Sequence, residues 1–163
     1  MSDILLVRID QSNLFPEFLR RLKALLDDAQ HNHSSSYWVI SGHRGYLEQN
    51  DLYAKGRTTP GKVVTNAKGG QSAHCFGIAA DLCLDGLGDR AGLQPDYRPE
   101  SYELLRELAP KHRLVWGGTF KSPDRPHVQL PGFVTSTEMK PLRDRYEARG
   151  LSAVFTYLEE QPS

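Results

Sequence analysis

The sequence has no excess of charge of either sign and no long hydrophobic run. Its 163 residues contain 20 Lys and Arg against 20 Asp and Glu, so the formal net charge at pH 7 is +0. Binding to nucleic-acid phosphates needs clustered positive charge, so we predict no nucleic-acid partner. No apolar stretch approaches the ~18 residues that span a membrane, so we also predict no stable membrane association.

Signals for secretion and for a disulfide framework are equally sparse. The N-terminus has only the short apolar run 4–7 behind Asp3. This run is too short for a secretory signal, so we expect synthesis in the cytoplasm. Cys75 and Cys83 are the only cysteines. They exclude a disulfide framework but leave open either a single bridge or two free thiols.

What is present is the composition of a globular protein. Hydrophobic residues make up 39% and charged residues 25%, with 14 Gly and 10 Pro spread along the chain. These proportions argue against disorder, collagen and coiled coils. The length fits one domain of about 100–200 residues, so we predict a single domain over residues 1–163. Oligomeric state does not follow from the sequence.

Helix and strand patterns alternate along the chain. Apolar residues at spacings of three and four predict a helix after Pro16, and related patterns predict helices over 46–55 and around 102–109. Runs rich in aromatic and β-branched residues predict short strands, at 37–40, 78–84, 114–116 and 127–130. This order indicates an α+β fold.

The C-terminal part predicts a helical appendage, at about 135–160. Residues 135–137 can cap a first helix, and Gly150 can end it before a second helix begins. Neither helix has a pattern of residues that would indicate a catalytic or binding site of its own.

Two separated segments contain residues that can bind a metal ion. His74, Asp81 and His127 could supply the three protein ligands that a catalytic zinc ion takes, with the fourth position left to water. Positions 74 and 81 would face opposite ways in one continuous strand, so the chain must turn between them, and Gly77 permits that turn. The alternative is that these are ordinary surface or capping residues.

Two further charged residues, Asp124 and Arg44, can each be interpreted either as catalytic or as non-catalytic. Asp124 stands three residues before His127, where it could be a general base towards an attacking water or a turn residue in a Pro-rich loop. Arg44 follows the first predicted strand. It could bind a carboxylate or an oxyanion at the end of the sheet, or it could be a solvated surface arginine.

The pattern SxHxxGxxxD at 72–81, followed by DxPH at 124–127, resembles the zinc peptidases of the VanY/VanX D-Ala-D-Ala peptidase superfamily. The resemblance is closer to the L-alanyl-D-glutamate endopeptidase branch, which includes cell-wall hydrolases and bacteriophage endolysins. Three segments from roughly the central 90 residues carry it: SGHRGYLEQNDLYAKGR (41–57), VVTNAKGGQSAHCFGIAADL (63–82) and VWGGTFKSPDRPHVQL (115–130).

The resemblance implies a fold and a set of roles. The fold is a small central antiparallel sheet flanked by helices, with a zinc site at the sheet, as in hedgehog and DD-peptidase domains. One zinc ion is expected at His74, Asp81 and His127, with Asp124 as the catalytic base and acid. Arg44 is the expected substrate-binding or oxyanion-stabilising cation, and Ser72 helps to orient substrate or ligands.

Three positions depart from the family pattern. Cys75 stands where Asn is common, His43 where Tyr is common, and Thr119-Phe120 where Asp-Trp is common. None of these changes removes an expected ligand, but they bear on substrate selection. Cys75 and Cys83 are either additional ligands or small buried residues.

The function that the resemblance implies is cleavage of the L-Ala–D-Glu bond in bacterial peptidoglycan stem peptides, by an endolysin. Such an enzyme accumulates in the cytoplasm and reaches the cell wall after a separate protein permeabilises the membrane. The first alternative is a D-Ala-D-Ala carboxypeptidase or dipeptidase. The second alternative is a zinc-containing module that binds the cell wall or a protein without catalysis.

Overall fold

The computed structural model describes residues 9–86 and 93–161. Residues 1–8, on which the argument against a secretory signal depends, lie outside that part of the chain. None of the described helices is both long and apolar enough to cross a membrane.

Five short strands form one antiparallel sheet. They are β1 (Tyr37–Ser41), β2 (Ala79–Asp85), β3 (Pro95–Asp96), β4 (Val115–Trp116) and β5 (His127–Gln129). The order is β1-β2-β5-β4, and β3 pairs with the C-terminal end of β2. With helices packed around this sheet, the predicted fold class is confirmed.

The central strand β2 brings its neighbours to one point of the sheet. Asp81 pairs with His127 of β5 on one side and with Ser41 of β1 on the other. The pairing with β1 is irregular between Val39 and Ser41, so the chain leaves β1 close to Asp81. Residues that are far apart in sequence therefore meet beside one residue of β2.

The longest helix, α1 (Pro16–His33), begins with the predicted proline in its first turn. Its apolar stripe is buried in the core, at Phe18, Leu22, Leu25, Leu26 and Ala29. Ser34 ends the helix in the left-handed conformation, with φ 53°, and its backbone N–H bonds the Ala29 carbonyl.

Two shorter helices lie between the strands. Helix α2 (Tyr46–Ala54) matches its prediction. The helix predicted around 102–109 is observed as α3 (Leu105–Lys111), because Pro99–Tyr102 forms a separate 3-10 turn first. Strand β3 was not predicted from the sequence, because its two residues, Pro95 and Asp96, are of types that are depleted in strands.

The two C-terminal helices are α4 (Lys140–Arg149) and α5 (Leu151–Glu159), separated by Gly150 as predicted. Ahead of α4, Thr135 and Glu138 form a reciprocal capping box. The Glu138 N–H donates to Thr135 Oγ1 at 3.2 Å, and the Thr135 N–H donates to Glu138 Oε2 at 2.7 Å. Whether these helices are an appendage to one domain over 1–163 stays a prediction.

These helices also contact the segments that carry the candidate ligands. In α4, Tyr146 stacks on Tyr46 of α2, with ring centroids 4.4 Å apart, and meets the Phe76 ring edge-on at 6.2 Å. In α5, the Phe155 ring lies against Phe15 and closely approaches Gly77. The C-terminal helices therefore pack behind the chain turn that the sequence places between positions 74 and 81.

Candidate metal centre and active site

The fold places the three candidate ligands side by side. His74 lies in a 3-10 turn, Ala73–Phe76, that Gly77 closes with φ 68°. The chain then enters β2, where Asp81 is the third residue, and Asp81 pairs directly with His127. The predicted turn at Gly77 is confirmed, and it lets His74 and Asp81 face the same space.

The inward-facing atoms of these residues are close to one another. His74 Nε2 lies 3.2 Å from Asp81 Oδ1 and 3.2 Å from His127 Nδ1, and His127 Nδ1 lies 3.4 Å from Asp81 Oδ1. Both imidazoles are buried, while a fifth of the Asp81 side chain is exposed. One ligand atom from each residue fits within a sphere suited to a single metal ion, since all three lie within 4.8 Å of one another.

Hydrogen bonds on the outer sides of the imidazoles decide which nitrogen faces inward. His74 Nδ1 donates to the Gly42 carbonyl at 2.7 Å, and His127 Nε2 donates to Gln129 Oε1 at 2.8 Å. In the neutral rings, His74 Nε2 and His127 Nδ1 then carry lone pairs. Two lone pairs and a carboxylate oxygen therefore converge without a donor between them, which is the donor set of a cation site.

Burial and the mutual contacts of the three residues together set their pKa values. Burial alone raises the pKa of the Asp81 carboxyl, but His74 and His127 outweigh it and hold the pKa well below its usual range. Burial lowers the pKa of His74. For His127, burial also favours the neutral ring. When the ring is charged, however, its Nδ1–H can donate to Asp81, and this hydrogen bond and the charge of Asp81 give a net raised pKa. The carboxylate therefore stays ionised, ready to bind a cation.

Asp124 lies on the rim of the same site. Its backbone N–H donates to the Gly117 carbonyl at 2.9 Å, and its own carbonyl accepts from the His127 N–H at 3.2 Å. A side chain at Gly117 would collide with the Asp124 carbonyl, so the loop can approach only because residue 117 is a glycine. Desolvation of the Asp124 carboxyl raises its pKa, and the negative charge of Asp81 raises it further, against the opposing charges of His127, His74 and Arg44.

Arg44 pairs with one of the candidate ligands. Its Nη2 lies 3.3 Å from Asp81 Oδ2, its side chain is 14% exposed, and its backbone N–H donates to the His74 carbonyl at 3.1 Å. The buried Nε atom has no hydrogen-bond partner among the described residues. Arg44 is therefore not a solvated surface arginine. It lies beside the site, and its Nε–H is available to bind a ligand.

The remaining predicted residues differ in their distance from the site. Ser72 precedes the 3-10 turn, lines the cleft and makes no capping hydrogen bond with its side chain. Cys75 and Cys83 are both buried free thiols, and burial raises the pKa of each. Neither joins the three converging ligands, so their interpretation as small buried residues is favoured.

The three candidate ligands, together with Arg44, Ser72 and Asp124, line a cleft of about 300 Å³. The cleft shares Val64, Phe120 and Asp124 with an adjoining groove of about 660 Å³. Four of the large hydrophobic side chains that are exposed on the described surface lie along the cleft or the groove: Ile40, Val63, Val64 and Val134. The site can therefore accept an elongated ligand with some aliphatic character.

Gln129 was not among the site residues predicted from the sequence. This side chain is buried, with 3% exposure, and contacts the outer nitrogen of His127. Residues i and i+2 of a strand share one face, so the spacing of His127 and Gln129 within a predicted strand was a usable signal. Gly42 had no such signal, because it contributes only its backbone carbonyl.

Comparisons with known proteins agree with the motifs. A sequence profile described as D-alanyl-D-alanine carboxypeptidase matches residues 65–130. The peptidoglycan L-alanyl-D-glutamate endopeptidase CwlK of Bacillus subtilis (strain 168) is 32% identical over 56% of this chain. The match covers 59% of CwlK, so the chain spans less than two thirds of that relative's length.

Two solved structures share the fold. VanYB in complex with D-alanine-D-alanine matches with a TM-score of 0.54 and 18% identity, over 91% of this chain and 84% of that one. The LD-carboxypeptidase LdcB matches with a TM-score of 0.50 and 20% identity, over 88% of this chain and 81% of that one. The predicted type of sheet, with helices around it, is confirmed.

Proposed function

We propose that this chain is a zinc-dependent peptidoglycan endopeptidase. It resembles the VanY/VanX-like peptidase superfamily and, within that superfamily, the L-alanyl-D-glutamate peptidase branch. Its substrate would be the stem peptide, cut between L-Ala and D-Glu. The observation that carries the proposal is the convergence of His74, Asp81 and His127, all acceptors, in a cleft that Asp124 also lines.

Zinc held by His74, Asp81 and His127 would act as a Lewis acid, polarising the scissile carbonyl and making water more acidic. Asp124 would accept a proton from the attacking water on its carboxylate and return that proton to the leaving amine of D-Glu. Desolvation raises the pKa of the Asp124 carboxyl, which is the direction expected of a group that also returns the proton.

Arg44 would contribute positive charge at the same point. One nitrogen is engaged by Asp81 Oδ2, and the guanidinium has further donors that can bond the oxyanion or a substrate carboxylate. Ser72 lies at the edge of the cleft, where its hydroxyl can bond the peptide backbone. These roles are proposed for residues that the structure brings to one cleft.

The cleft and its adjoining groove have room for a peptide longer than a dipeptide, which is compatible with an endopeptidase. A D-Ala-D-Ala carboxypeptidase needs room for only one residue beyond the scissile bond, whereas an endopeptidase needs room on both sides. The groove of about 660 Å³ that adjoins the cleft extends the available space beyond the cleft itself. The similarity to CwlK also supports an endopeptidase. We further propose that the protein acts on the cell wall as an endolysin.

Product analysis on purified peptidoglycan tests this proposal. The expected products carry a new D-Glu amine and an L-Ala carboxyl end; release of D-Ala alone would favour the carboxypeptidase instead. The digestion should stop after chelation and return with zinc. A zinc-loaded protein that binds cell walls without releasing any product would support the non-catalytic module.

A further inference from the structure

Gln129 is buried between the candidate metal site and a bend of the chain that follows β5. Its Nε2 lies 2.8 Å from the Phe133 carbonyl and 3.3 Å from the Leu130 carbonyl. Carbonyl oxygens only accept hydrogen bonds, so the side-chain atom beside them must be the amide NH2. The orientation of the Gln129 amide is thereby determined by the backbone.

This orientation determines the proton position on His127. With NH2 directed at the two carbonyls, Gln129 Oε1 is the atom 2.8 Å from His127 Nε2. An amide oxygen cannot donate, so His127 Nε2 must carry the hydrogen. In the neutral ring, Nδ1 is then left with its lone pair, on the side of His74 and Asp81.

His74 is oriented differently. Its outer nitrogen is Nδ1, and the acceptor is the Gly42 carbonyl, which belongs to the backbone and is retained in side-chain variants of the neighbouring residues. The two imidazoles therefore present different nitrogens inward, Nε2 from His74 and Nδ1 from His127. Only the tautomer of His127 depends on a side chain.

We propose that Gln129 is a positioning residue that selects the Nε2–H tautomer of His127 and so makes its Nδ1 a metal ligand. The inference rests on the proposed function only for the presence of a metal ion. Outer-sphere partners of this kind typically change metal affinity by 10–100-fold when they are removed. Gln129 itself touches neither the substrate nor the reacting atoms.

The test compares Gln129→Met, which has similar size but no acceptor for the ring N–H, with Gln129→Glu, which keeps an acceptor oxygen. Zinc affinity is measured by competition with a chelator of known affinity. Gln129→Met should weaken zinc binding by about 10–100-fold, whereas Gln129→Glu should stay within a few-fold of the parent. A Gln129→Met protein that binds zinc as tightly as the parent would overturn the proposal, since the acceptor for the ring N–H would then not matter.

Val128→Ala is the matched control for loss of strand stability. Val128 is buried and neighbours Gln129 in β5, but its side chain points to the opposite face. It should lower the unfolding temperature and leave zinc affinity unchanged. If Val128→Ala weakened zinc binding as much as Gln129→Met, simple loosening of β5 would explain both, and the positioning role would be wrong.

A second readout needs neither metal nor substrate. Long-range ¹⁵N–¹H correlation spectra of the metal-free protein, recorded at a pH where the ring is neutral, report which nitrogen of His127 carries the hydrogen. The parent should show Nε2–H, and Gln129→Met should show a substantial Nδ1–H population. An unchanged Nε2–H signal in Gln129→Met would refute the inference. A parent without stoichiometric zinc would instead refute the proposed function, and the spectra would still decide the tautomer.

Discussion

Asp81 and His127 are directly paired residues on adjacent antiparallel strands, and their side chains meet with His127 Nδ1 3.4 Å from Asp81 Oδ1. A shift of one residue between β2 and β5 would turn one of these side chains to the opposite face of the sheet. The candidate metal site therefore depends on strand register as well as on ligand identity.

Asp124→Ala and His127→Ala should separate catalysis from metal retention. His127→Ala removes a proposed ligand, so both zinc content and turnover should fall. Asp124→Ala removes only the proposed general base, so zinc should stay near stoichiometric while the rate falls by about 10²–10⁴-fold. Elemental analysis and a turbidity assay on isolated cell walls measure both quantities on one preparation. Parental lysis by Asp124→Ala would show that the base assignment is wrong.

Arg44→Lys should lower kcat/KM by about 10²–10³-fold, because a lysine cannot pair with Asp81 and still present a planar set of donors to an oxyanion. Zinc content should stay high, since positive charge remains beside Asp81. Steady-state kinetics on a purified stem peptide give the rate, and elemental analysis gives the metal. A change in zinc content alone would indicate that Arg44 acts only through the orientation of Asp81.

Gly77→Ala should be more destabilising than Gly132→Ala, although both glycines have positive φ, 68° and 83°. An alanine at 77 would collide with the Asn13 carbonyl, whereas at 132 nothing lies within 4 Å. The backbone strain alone costs about 1–2 kcal/mol, which is the loss expected for Gly132→Ala. Chemical denaturation measures both variants. Equal losses would mean that the turn can move away from Asn13.

Asp28→Asn should lower the free energy of unfolding at pH 7 by about 1–2 kcal/mol. Asp28 is buried and accepts hydrogen bonds from Asn32, Lys111 and His112, each at 2.7 Å. These bonds hold its pKa well below the usual range, and since Lys111 is half exposed, solvent screening limits its share.

The pH dependence of this difference has a definite sign. A depressed pKa in the folded state stabilises the protein above the unfolded pKa of about 4, and that stabilisation is lost as the pH falls further. The gap between parent and Asp28→Asn should therefore shrink below pH ~4. Asp144→Asn is the control: its pair with Lys140 is exposed, so its effect should stay under about 0.5 kcal/mol. A gap that is constant with pH would contradict the role of the charge.

Local pattern was enough to predict most of the helices and strands. The spacing of apolar residues or a single backbone preference predicts each of these elements. They include the helix after Pro16, the strands around Val39 and Val128, and the end of a helix at Gly150. These signals are local, since apolar periodicity and turn chemistry act within a few residues. The family resemblance could also be recognised from the sequence, because its motifs are short and occur in the expected order.

The pattern of residues alone identified His74, Asp81 and His127 as candidate ligands and indicated that the chain must turn at Gly77 between the first two. The folded chain was needed to show that His127 lies opposite Asp81, that Arg44 pairs with Asp81, and that Gln129 accepts a hydrogen bond from the outer nitrogen of His127. These are contacts between strands or across a bend, and their geometry depends on register and packing, which no local pattern specifies. The nitrogen that each imidazole directs towards the metal site also depends on the tertiary structure, because a hydrogen bond to a residue outside the motif selects it.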